Sequence, residues 1–160
     1  MATIQLHPDF KDFLRSLNDH KVEYLVIGGY AVAFHGYPRP TGDLDVWVRA
    51  NPLNASLVVA ALRDFGFATG DLNPDLFLPS RSLIRMGYPP YRIEISTQIS
   101  GVQFEACWIG RVVGELDGLS VPILGLMELR ANKLASGRPK DLADLDYLPG
   151  RLDDMDPIEK

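Results

Sequence analysis

Apolar residues recur along the chain with two spacings, which predict strands and helices in mixed order. Alternation and β-branched runs predict strands over 22–27, 43–48, 82–86 and 91–96, and a hairpin over 111–122. Apolar residues three and four apart predict helices over 8–20, 29–34, 52–65, 124–135 and 139–148. Two prolines and several turn formers predict a surface loop over 69–80. The pattern therefore predicts the α/β (α+β) class, with helices packed against a sheet.

Length and composition are those of one ordinary globular domain. The chain has 160 residues, of which 46% are apolar and 23% charged. We expect one domain over 1–149 and an acidic, flexible tail over 150–160. No apolar stretch is long enough to span a membrane and the N-terminus lacks signal-peptide features, so we expect a cytoplasmic protein. The single cysteine, Cys107, excludes an internal disulfide and a cysteine-rich zinc site.

A pair of glycines stands directly after the first predicted strand. Gly28 and Gly29 allow backbone angles that a side chain would forbid, and they let another group approach the N–H donors that open the next helix. Free N–H groups at a helix start favour an anion. The strand, the glycine pair and the helix therefore predict a phosphate-binding turn.

Two aspartates share one face of the second predicted strand. Asp43 and Asp45 are two residues apart, so both carboxylates point the same way, opposite to Leu44 and Val46. Like charges at this spacing repel, and a divalent cation would neutralise them. Carboxylates combined with substrate phosphates are typical ligands of Mg²⁺. The other interpretation is a polar strand surface facing solvent.

Further polar residues are candidates for the same site. Glu94 lies on the polar face of the strand over 91–96 and is a candidate third carboxylate, although an isolated glutamate on a strand is usually only solvated. The turn over 37–42 has two prolines, and it places Arg39 and Thr41 just before the acidic strand. Arg39 could contact a phosphate or pair with an aspartate.

Charged residues fall on or beside the apolar stripes of the two C-terminal helices. Lys133 lies between apolar positions of the first helix, and Asp141 lies between those of the second. A buried charge needs a partner, so Lys133 and Arg138 should meet carboxylates or phosphates. A salt bridge that joins the two helices is the structural alternative, and it is the interpretation we favour for Asp141 and Asp144.

Two stretches of the chain resemble the DNA polymerase beta-like nucleotidyltransferase superfamily, in its small bacterial branch that includes abortive-infection type toxins. These stretches are GGYAVAFHGYPRPTGDLDVWV and NKLASGRPKDLADL. The matching features are the glycine pair, the Asp-x-Asp strand and a carboxylate on a later strand, within about 22–148. Two positions depart from the family pattern. Tyr30 follows the glycines where serine is frequent, and Glu94 stands where aspartate is common. The resemblance implies a minimal nucleotidyltransferase fold with a mixed, twisted sheet and a C-terminal helix pair.

The resemblance also implies an activity. A metal-dependent nucleotidyltransferase would move a nucleoside monophosphate from a nucleoside triphosphate such as ATP to the hydroxyl of an RNA, a protein or a small molecule. Mg²⁺ or Mn²⁺ would be held by Asp43, Asp45 and Glu94. The phosphates would be bound with the help of six further residues, Gly28, Gly29, Arg39, Thr41, Lys133 and Arg138.

The resemblance and the composition also bear on partners. We expect no membrane partner, since no apolar stretch is long enough to span a bilayer. We expect no bulk DNA binding, because the net charge is −5. An antitoxin or a second copy of the chain could complete the cleft. The alternatives to an enzyme are a non-catalytic nucleotide-binding module of the same fold and a protein–protein interaction unit.

Overall fold

The computed structural model describes residues 3–79 and 83–150. The strands are β1 Tyr24–Ile27, β2 Asp43–Val48, β3 Leu83–Tyr88, β4 Tyr91–Ser96, β5 Val112–Leu116 and β6 Leu119–Ile123. The helices are α1 Pro8–Asp19, α2 Gly28–Phe34, α3 Pro52–Phe65, α4 Phe104–Ile109, α5 Leu126–Ser136 and α6 Pro139–Tyr147, with a 3₁₀ turn at Pro74–Phe77. The predicted tail beyond Gly150 lies outside the described residues.

The six strands form one mixed sheet in the order β3-β4-β2-β1-β6-β5. β2 runs parallel to β4 and β1 runs parallel to β6, whereas the other neighbours are antiparallel. Every residue of β1 is buried, as expected for a central strand covered on both faces. Helices α1 and α3 pack on each other, and their inward side chains, Phe13, Leu14, Leu17, Val58 and Leu62, are fully buried. The predicted α/β class is confirmed.

Several element boundaries differ from the prediction. The first strand begins at Tyr24 rather than at residue 22, because the N–H of Val22 donates to the carbonyl of Leu17 and thereby belongs to the end of α1. The first strand of the β3–β4 hairpin continues to Tyr88, because only Pro89 and Pro90 form the turn. Its predicted start at residue 82 lies outside the described residues.

The segment over 69–80 is not simply a surface loop. Its 3₁₀ turn places Phe77 in the core, where the ring has no exposed surface. Leu72 is also buried. The apolar residues of this segment therefore anchor it against the helices. Within the described residues, no helix is both long and apolar enough to cross a bilayer.

The C-terminal helix pair is attached to the turn that precedes β2. Gly137 takes a left-handed φ of 67° between the two helices, a conformation that glycine adopts without strain. The guanidinium of Arg39 donates two hydrogen bonds to Asp144, of 3.0 and 2.9 Å. The rings of Tyr37 and Tyr147 stack with their centroids 4.5 Å apart. These contacts hold α5 and α6 beside the acidic strand.

Candidate active site

Strand register brings the predicted carboxylates together. In the parallel pair of β2 and β4, Asp45 lies beside Glu94, and Asp43 lies beside Arg92. Directly paired residues of neighbouring strands point to the same face, so these four side chains share one surface. Arg85 of β3 lies on the other side of Glu94 and donates to its Oε1 over 2.7 Å. Across the three strands this row thus contains one cation, Arg85, followed by two adjacent carboxyl groups, Glu94 and Asp45.

Asp45 and Glu94 interact directly. Burial raises the pKa of Asp45 to about 7, and the hydrogen bond and negative charge of Glu94 act in the same direction. The pKa of Glu94 is lowered, because hydrogen bonds from Asp45 and Arg85 outweigh the effect of burial. Below pH 7 the carboxyl of Asp45 is therefore mainly protonated and can donate to the Glu94 carboxylate. A cation placed between them would replace that proton.

Asp43 has a cationic neighbour of its own. The guanidinium of Arg92 lies 3.3 to 3.4 Å from its two carboxylate oxygens. Among residues 3–79 and 83–150, no three His, Cys, Asp or Glu side chains converge to form a metal cage. The donor set nevertheless fits Mg²⁺ in kind, because this ion is commonly held by one or two carboxylates together with substrate phosphates. Asp45 and Glu94 already provide two adjacent carboxyl groups.

The glycine turn packs directly against the carboxylate of Asp45. Gly28 has a φ of 66°, and a Cβ at this position would collide with the carboxylate of Asp45. A Cβ on Gly29 would lie 2.7 Å from the hydroxyl of Thr41, which itself donates to the carbonyl of Asp43. No side chain caps the start of α2. Gly28 and Gly29 line the cleft, so the uncapped start of that helix lies at the cleft wall, and phosphate binding by its N–H groups stays a prediction.

The predicted cations are engaged with carboxylates of α6. The amino group of Lys133 lies 3.1 Å from Asp141 and 2.9 Å from Asp144, with its side chain only 4% exposed. Arg39 pairs with Asp144, and Arg138 donates to Asp141 over 2.9 Å. The salt-bridge interpretation of Asp141 and Asp144 agrees with these contacts. Contact of Arg39, Lys133 or Arg138 with a phosphate stays a prediction.

One open cleft of about 910 Å³ is lined by all nine predicted site residues. It is also lined by three cations that we did not predict, Arg85, Arg92 and Lys140. A two-residue turn at Pro89-Pro90 fixes the register that pairs Arg85 with Glu94, so this signal was present in the sequence. The position of Lys140 depends on how α6 docks, which no local pattern encodes. Among residues 3–79 and 83–150, six basic and four acidic side chains line the cleft.

Comparison with known proteins identifies the fold. No protein-family model matches the sequence, and no curated protein matches it. A crystal structure from Thermotoga maritima, provisionally assigned as a nucleotidyltransferase, superposes with a TM-score of 0.57 at 17% identity, over 86% of this chain and 88% of that one. The lincomycin-bound lincosamide antibiotic adenylyltransferase LnuA superposes with a TM-score of 0.55 at 15% identity, over 91% of this chain and 97% of that one. The chain thus has the nucleotidyltransferase fold, as predicted.

Proposed function

We propose that the protein is a divalent-metal-dependent nucleotidyltransferase. One observation carries the proposal: in a nucleotidyltransferase fold, Asp45 and Glu94 lie side by side on adjacent strands, with Asp43 two residues along on the same face, in a cleft bordered by Gly28. Carboxyl groups in contact are unfavourable unless a proton or a cation separates them, so their juxtaposition needs a functional reason. Binding of a metal and a triphosphate supplies that reason.

The residues of the cleft would divide the reaction between them. The acceptor oxygen forms a bond to the α-phosphorus, the bond from this phosphorus to the pyrophosphate oxygen breaks, and pyrophosphate leaves. Glu94 accepts the proton of the acceptor hydroxyl. The turn at Gly28 and Gly29 holds the outer phosphates through backbone N–H groups. Mg²⁺ or Mn²⁺, held by Asp43, Asp45 and Glu94, supplies positive charge to the triphosphate when bound.

For the acceptor we propose a small molecule that carries a hydroxyl group. LnuA is named for a small-molecule antibiotic, and the alignment covers 97% of its chain. A net charge of −5 disfavours a polyanionic acceptor such as long RNA. An RNA or protein acceptor would instead fit a toxin, with an antitoxin as the binding partner.

Calorimetry tests the site. The wild type and a variant with Asp43→Ala and Asp45→Ala are titrated with each nucleoside triphosphate in the presence of Mg²⁺. We expect binding of at least one triphosphate by the wild type and loss of that binding in the variant. Asp71→Ala, in an exposed loop, is the matched control and should bind as the wild type does. Equal binding by the wild type and the double variant, or no binding by either, would contradict the site assignment.

Turnover separates catalysis from binding alone. Triphosphates labelled at the α-phosphate are incubated with the protein and a panel of hydroxylated small molecules, RNA and cell lysate. Transfer of label to an acceptor, with release of pyrophosphate, supports the enzyme. A nucleotide-binding module is the second candidate, because Arg85 already occupies one oxygen of Glu94. Tight binding without label on any acceptor would favour this candidate.

A further inference from the structure

The cations of the cleft belong to two groups that differ in their partners. Arg39 and Lys133 pair with the carboxylates of α6, of which Asp144 is 3% exposed. Arg85 and Arg92 pair instead with Glu94 and Asp43, which are candidate metal ligands. The two groups therefore respond differently when a metal binds.

Release of Arg39 or Lys133 towards a ligand would be unfavourable. It would remove one of the two cations that neutralise Asp144 in a buried position, and breaking a buried ion pair by removing one partner is strongly destabilising. The two hydrogen bonds from Arg39 and the contact with Lys133 both end on this one carboxylate. These two cations are therefore fixed parts of the cleft wall.

Release of Arg85 and Arg92 is compensated. Divalent cations bound at Glu94 and at Asp43 would supply the positive charge that the two guanidinium groups supplied before, so neither carboxylate would be left unpaired. Both arginines are accessible enough to leave, since Arg85 is 57% exposed and Arg92 is 32% exposed. Gly87 lies directly opposite Arg92 on the neighbouring strand, where it places no side chain against the guanidinium.

On this basis we propose that Arg85 and Arg92 hold the carboxylates before the metal binds and then transfer to the phosphates of the nucleotide. The proposal rests on the proposed function, because it needs a metal and a triphosphate in this cleft. The exchange balances charge at each step: the metal replaces the guanidinium groups on the carboxylates, and the triphosphate gives those groups a new anion. Bidentate binding of phosphate is well suited to arginine.

The exchange predicts effects of opposite sign in one variant. Arg85→Gln removes a competitor of the metal, so it should bind Mn²⁺ alone about fivefold more tightly. The same variant lacks a phosphate ligand, so it should bind Mn²⁺ with tripolyphosphate or a nucleoside triphosphate about tenfold more weakly. Arg92→Gln should behave in the same way. Arg63→Gln, an exposed arginine of α3, is the matched control and should change neither affinity.

Paramagnetic resonance measures free Mn²⁺, and calorimetry measures the triphosphate complex. Unfolding cannot imitate the expected result, because a damaged site does not bind a metal more tightly. Unchanged or weaker Mn²⁺ binding by Arg85→Gln, or unchanged triphosphate binding, would overturn the proposal. The Asp45→Asn variant tests the proposed function separately from the arginine exchange. If the wild type and Asp45→Asn bind Mn²⁺ with triphosphate equally well, the proposed function itself is wrong.

Discussion

We expect Asp45→Asn to stabilise the folded protein at pH values above 7. The carboxyl of Asp45 has a pKa of about 7 in the fold, against an ordinary value of 3.8. The folded state therefore holds a proton that the unfolded chain has released, and its stability falls as the pH rises from about 4 to about 7. The difference corresponds to about 4 kcal/mol as an upper limit, at about 1.4 kcal/mol per pKa unit. Asparagine does not titrate, and its amide N–H can still donate to Glu94.

Urea denaturation of the wild type and the Asp45→Asn variant between pH 5 and 8.5 measures this effect. The advantage of the variant in free energy of unfolding should grow by about 3 kcal/mol from pH 5 to pH 8. Asp71→Asn, at an exposed position, should show no such growth. Mg²⁺ with a triphosphate should raise the melting temperature of the wild type and leave that of Asp45→Asn unchanged. A difference between the two proteins that does not depend on pH would refute the reasoning.

Three further substitutions test the frame of the cleft. Lys133→Met should lower the free energy of unfolding by about 3 kcal/mol, because it removes a buried cation that contacts both Asp141 and Asp144, each of which keeps one arginine partner. Arg138→Gln, which removes a cation that is 76% exposed, should cost under about 1 kcal/mol in the same urea titration. Gly28→Ala should abolish metal–triphosphate binding in calorimetry and lower the free energy of unfolding by at least about 1 kcal/mol. The added methyl group would collide with Asp45, and the positive φ of this residue is strained for alanine. Normal binding by the variant would contradict this. Asn54→Ala should lower the free energy of unfolding by about 2–4 kcal/mol in thermal denaturation, because the buried amide of Asn54 makes hydrogen bonds to the backbone at residues 23 and 49. A decrease under about 0.5 kcal/mol would show that water replaces these hydrogen bonds.

Local patterns were enough to locate most elements. The apolar spacing of α1 and α3 and the alternation of β2 and β4 follow from helix and strand periodicity, and the structure has these elements at the expected places. The order of the strands could not be predicted in the same way. β2 pairs with β4 and β1 pairs with β6, so neighbours in the sheet are far apart in the chain, and an apolar strand does not specify which strand it contacts.

The candidate site, like the fold, was predictable within single elements but not between them. Asp43 and Asp45 could be assigned to one face because they are two residues apart within one strand. The contact between Asp45 and Glu94 depends on a parallel register over 49 positions, which the sequence alone supported only through the family resemblance. Lys133 was expected to be buried and partnered, and it is, but the identity of its partners depends on how α6 packs.

The charge distribution has a kinetic consequence. Within the described part of the chain, six basic and four acidic side chains line the cleft, whereas the whole chain carries a net charge of −5. The basic side chains of the cleft attract an approaching anion, and salt screens this attraction, so the encounter rate at the cleft should fall as ionic strength rises. A compact anion can bind among these cations alone, whereas an extended polyanion also meets other parts of a chain whose net charge is negative. The surface therefore selects ligands by shape and charge before any contact forms inside the cleft.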